Sequence, residues 1–151
     1  MRSALFYNVP LTAACMSWLL CQLLKLPIDR FRHKKVTIIS FLQSGGFPSS
    51  HSAFVTALSV SIGLTDGVAS SQFAIAAVFA FVVMQDAIGL RRNAGRTAEA
   101  VNELIAELEA RGIVIDRQLK EALGHTPIEI IAGIGAGIGV SALLYNLCPI
   151  V

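Results

Sequence analysis

An all-α, multi-pass transmembrane helical bundle, with about four spans and one amphipathic surface helix, is the fold class that this sequence predicts. Three observations predict it. Of 151 residues, 54% are hydrophobic and only 15% are charged, well below the roughly 25% charged residues of an average soluble domain. The charged residues are gathered into blocks separated by long uncharged stretches, as loops alternate with spans. The longest of these stretches reach the ~20 residues that a helix needs to cross a hydrocarbon core about 30 Å thick. The chain reads as one membrane domain over residues 1–151, in which a net charge of +2 says little and no nucleic-acid partner is expected.

In chain order, residues 5–24 carry no charge and form the first span, with Pro10 in its first turns, where a missing N–H is tolerated. One Arg before a long apolar segment, with no convincing cleavage site after it, argues for a retained span rather than a signal peptide. Lys25 to Lys35 is a basic stretch within a loop over residues 25–48. The run at 49–64 is short for a span, the run at 72–90 is longer, and the run at 128–148 holds Gly133, Gly135, Gly137 and Gly139, two overlapping pairs that permit close helix approach. Between the last two runs lies loop 91–127, in which Ala98, Val101, Leu104, Ile105 and Leu108 recur at helical spacing, predicting an amphipathic helix that ends near Gly112. Cys15, Cys21 and Cys148 lie scattered in apolar stretches without metal-ligand spacing, so they read as packing residues, and no metal or cofactor is expected.

Four crossings put residues 25–52 and 91–127 on one side of the membrane. Eleven of the twelve Lys and Arg residues lie there, which assigns that side to the cytoplasm. Ser44-Gly45-Gly46-Phe47-Pro48-Ser49-Ser50-His51-Ser52 reads as a loop feeding a helix, where Ser49 or Ser50 can cap the helix and an anion can sit beside an imidazole. His125 lies at the like-facing start of the last span, and Glu129 follows four residues later, on the same helix face. Thr126-Pro127-Ile128-Glu129 is also a capping box with Pro at the first helical position, which accounts for Thr, Pro and Glu but not for His125. Two imidazoles suit phosphoryl transfer, one attacking phosphorus and the other protonating the leaving oxygen, with a carboxylate fixing the tautomer of the nucleophile.

Pro48-Ser49-Ser50-His51 resembles the Pro-Ser-Gly-His motif of the type 2 phosphatidic acid phosphatases, a superfamily related to vanadium haloperoxidases and bacterial acid phosphatases. His125 to Glu129 is similar to the last motif of that superfamily, a nucleophilic His followed four residues later by an Asp. With residues 45–52, 86–95 and 119–129 in order, the whole chain resembles its small divergent branch of bacterial and plant membrane proteins. The resemblance implies that His125 forms a phosphohistidine, Glu129 orients it, His51 is the general acid and Ser49 binds a phosphoryl oxygen.

The departures from the pattern are specific. Ser50 stands where the motif has Gly, and the Lys followed seven residues later by Arg-Pro is absent, which leaves Lys35 as a candidate by proximity. The Arg six residues before the nucleophile is Leu119 here, with Lys120 beside it, and Arg91 and Arg92 could supply that charge. About four spans instead of six make a homo-oligomer one way to complete the bundle. The expected activity is metal-independent hydrolysis of a lipid phosphomonoester or diphosphate, at a site on the cytoplasmic side of a bacterial inner membrane or a plant organelle membrane. A non-catalytic protein that binds or translocates a lipid phosphate is the alternative, and a structural membrane subunit is a second one.

Overall fold

The computed structural model describes residues 8–31, 46–113, 115, 119 and 125–147. Within them lie five helices: α1 (Val9–Phe31), α2 (Ser50–Thr65), α3 (Ser71–Ile88), α4 (Leu90–Ala110) and α5 (Pro127–Leu147). Three stretches are long and apolar enough to cross a membrane, namely α1, the nearly continuous arm Ser71–Ala110, and α5. The fold is a helical membrane bundle.

The short helix is the central one. At 16 residues, α2 is about 24 Å long, and α1, α3 and α5 all pack against it. Its buried residues include Ser50, Ser52, Ala53, Ala57, Ser59 and Ser61, all small enough to let neighbouring backbones come close. Hydroxyls then bridge the gaps. Ser17 of α1 donates to the Ala53 carbonyl at 3.1 Å, Ser59 of α2 donates to the Ala76 carbonyl of α3 at 2.9 Å, and Ser141 of α5 donates to the Ala57 carbonyl at 2.9 Å. Replacing Ser141 with Ala is expected to cost about 0.6 kcal/mol, the typical worth of an interhelical side-chain bond in a membrane protein. Equilibrium unfolding in bicelles measures it, and no detectable loss would show that this bridge carries no stability.

Large apolar side chains face outward, where a lipid phase accepts them. On α3, Ile75, Val78, Phe79, Phe81 and Val82 are all exposed, as on a lipid-facing surface. Only Gly89 separates α3 from α4, and α4 ends at Ala110, two residues before Gly112. The first helix departs from expectation. It continues through Lys25, where the sequence suggested a loop, and reaches Phe31. Pro27 lies so near its end that the missing N–H disturbs only the final turns, and the Lys25 side chain has a partner inside the bundle.

Candidate active site

One end of the bundle gathers the last turns of α1, the start of α2, the end of α3 and the start of α5. The loop entering α2 turns at Gly46, whose φ of +87° favours glycine. Ser49 caps α2, its Oγ accepting from the Ser52 N–H at 3.3 Å and lying 3.0 Å from the Ser52 hydroxyl. The Ser49 N–H donates to the Glu129 carbonyl at 2.9 Å, which ties this loop to α5. His51 follows on the first turn of α2, half-buried.

At the start of α5, His125 is only 2% exposed. Its backbone N–H donates to the Ala87 carbonyl at the end of α3, 3.2 Å away. Its ring Nδ1 lies 3.1 Å from Glu129 Oε2, and the same oxygen accepts from the Thr126 N–H at 3.0 Å. One carboxylate oxygen therefore serves both readings of this segment, closing the helix cap and holding the imidazole. Nδ1 faces the carboxylate, so in the neutral ring that donates through Nδ1–H the lone pair lies on Nε2.

The two rings come close, with centroids 6.2 Å apart and planes inclined by 56°. An attacking nitrogen about 3 Å from phosphorus and a leaving oxygen about 3 Å from its acid span a distance of the same order. The contact between α5 and α2 that allows this depends on Gly133, where a Cβ would overlap the Ser49 carbonyl and meet Ser52 Cβ at 3.0 Å.

Of the residues that the sequence singled out, the structure brings together His51, His125, Glu129, Ser49 and Ser50. Arg91 and Arg92 lie on the first turn of α4, and their side chains fall outside the described residues, as do Lys35 and Lys120 altogether. Asp86 is half-buried beside Ala87. Among the described residues, no group of three His, Cys, Asp or Glu side chains is placed to hold a metal ion.

Sequence reasoning missed Lys25 as a residue of this site. It is 4% exposed, and its Nζ donates to Ser50 Oγ at 3.2 Å. Its stem lies across the turn, with Cδ 3.9 Å from where a Cβ on Gly46 would be. A signal was present in the spacing: Ala13, Ser17, Cys21 and Lys25 recur every fourth residue and form the buried stripe of α1. The hydroxyl at the position where the motif has Gly holds this lysine.

The sequence matches the family described as "Divergent PAP2 family" over residues 6–140. It is also 38% identical over 151 residues to "Uncharacterized membrane protein YuiD" of Bacillus subtilis (strain 168), covering 93% of this chain and 96% of that protein. No solved structure matches it significantly. Three apolar helices and a membrane-protein relative mark an integral membrane protein. On the match across most of its length, the chain belongs to the divergent PAP2 family.

Proposed function

We propose that this protein hydrolyses a phosphomonoester or diphosphate on a membrane lipid through a phosphohistidine. The observation that carries this reading is the 6.2 Å approach of the His51 and His125 rings, with Glu129 on His125 Nδ1. In the first step His125 Nε2 attacks phosphorus, the bond from phosphorus to the lipid oxygen breaks, and the electron pair goes to that oxygen, which takes a proton from His51. In the second step water attacks the phosphohistidine while His51 accepts its proton. The P–N bond breaks, releasing phosphate and neutral His125. Glu129 stabilises the charge that develops on the attacking ring.

Lys25 and Ser50 form the phosphate cradle at the positive end of the α2 dipole. Ser49 Oγ, engaged in the helix cap, reaches a phosphoryl oxygen only by sharing its Ser52 contacts. Arg91, Arg92, Lys35 and Lys120 are proposed as further cations on the phosphate side. The cation count supports a site on the cytoplasmic side, at the depth of a lipid headgroup.

Lys25→Met is expected to raise KM and lower kcat/KM by roughly 10–100-fold, the range for a charge-assisted hydrogen bond. An unchanged KM removes Lys25 from phosphate binding. The function itself is tested with purified protein in vesicles carrying phosphatidate, phosphatidylglycerophosphate or polyprenyl phosphate. Turnover with an acid-labile phosphoryl group on His125 supports the enzyme. Saturable binding without label or phosphate release supports the alternative, a lipid-phosphate binder or translocator.

A further inference from the structure

We infer that Asn102, on the polar arm α4, is a positioning residue for His125, acting through the backbone of Leu119 six residues before it. This rests on the reading of His125 as the nucleophile. The Asn102 carboxamide makes two bonds to the backbone of Leu119: Nδ2 donates to the Leu119 carbonyl at 2.8 Å, and the Leu119 N–H donates to Oδ1 at 2.8 Å. The side chain thereby satisfies both polar groups of that residue, as a neighbouring strand would.

Six residues later, the His125 N–H bonds the Ala87 carbonyl. Leu119 and His125 are therefore both fastened to one nearly continuous helical arm, Ser71–Ala110, the first to its outer half and the second to its inner half. The two anchors leave five residues between them, whereas without Asn102 the chain from Ile113, whose N–H donates to the Leu108 carbonyl, to His125 has eleven. A longer tether explores more conformations, so the segment carrying His125 is less well confined.

The arm also suits such a task by its composition. Around Asn102, Glu99, Glu103, Glu107 and Glu109 are exposed, while Ala98 and Ile105 are buried. This half of the arm is polar enough to lie outside the hydrocarbon region. Lys25, Ser49 and Ser50, which hold the phosphate in the proposed mechanism, stand on α1 and at the start of α2. Asn102 touches none of them, so loosening its contact acts on the nucleophile and not on headgroup binding.

The test uses the full chain in phosphatidylcholine vesicles. Diethylpyrocarbonate modification at His125, followed by mass spectrometry, reports how well that ring is confined without requiring turnover. Asn102→Ala is expected to speed modification about tenfold, the order of two lost hydrogen bonds, and Asn102→Asp, which keeps the acceptor and loses the donor, to fall between. Glu103→Ala, an exposed neighbour, is expected to match the wild type. With dioctanoyl phosphatidate, kcat of Asn102→Ala is expected to fall about tenfold at unchanged KM. Equal His125 modification in Asn102→Ala and wild type overturns the inference, as does a raised KM at unchanged kcat. Absence of wild-type turnover overturns the enzyme reading instead, and the modification rates still decide the role of Asn102.

Discussion

His125→Ala is expected to lower single-turnover phosphate release by roughly 10⁴-fold or more, the scale on which loss of a covalent nucleophile acts. It should also abolish the acid-labile phosphoprotein. No other side chain in the proposed mechanism forms a bond to phosphorus, so the loss should be seen with every lipid phosphate that the wild type cleaves. Glu129→Gln is a milder probe of the same unit. Glutamine keeps an oxygen for His125 Nδ1–H and for the Thr126 N–H, so the helix start survives while the negative charge is lost. A fall of roughly 10–100-fold is expected, as for other groups that orient a reacting ligand. Wild-type rates in His125→Ala would remove the phosphohistidine from the mechanism.

Gly133→Ala should have the second large effect, through packing. The added Cβ would overlap the Ser49 carbonyl and lie 3.2 Å from the Ala53 nitrogen, and these backbone atoms cannot swing away as a flexible side chain could. Forcing a methyl group into such a contact costs about 1–3 kcal/mol. The shift that relieves it separates α5, with His125 and Glu129, from α2, with His51. Gly135→Ala is the control, because nothing lies within 4 Å of its added Cβ. Thermal unfolding and turnover should both fall in the first variant and neither in the second. Equal behaviour of the two would mean that the approach of α5 to α2 at Gly133 is not what assembles the site.

The glycines show where reading the sequence stops. Their spacing in residues 133–139 marks a helix that packs closely, and it does so twice over, through Gly133 with Gly137 and through Gly135 with Gly139. Only the first pair faces α2, whereas the second is exposed. Two registers one residue pair apart are equivalent as patterns, and choosing between them takes knowledge of the neighbouring surface. Lys25 shows the complementary case. As a charge after the uncharged stretch 3–24 it marks the end of a span, yet it lies on the same stripe as Ser17 and Cys21 and turns inward to Ser50. Hydropathy records a change in composition along the chain, not the face on which a side chain falls.

The sequence by itself determined the class of the protein. Composition and the grouping of charge demand helices in a lipid phase, because a spanning chain must satisfy its backbone hydrogen bonds internally. Local motifs determined a helix start at Ser49 or Ser50 and another at Pro127, since capping depends on residues within a few positions, and the structure gives the first cap to Ser49. Only the tertiary structure decided that the short, serine-rich α2 is the centre of the bundle, that Lys25 reaches Ser50, and that His51 and His125 come within 6.2 Å across 74 residues of chain. Those outcomes depend on how helix faces fit together, a property of pairs of surfaces that no single stretch of sequence carries.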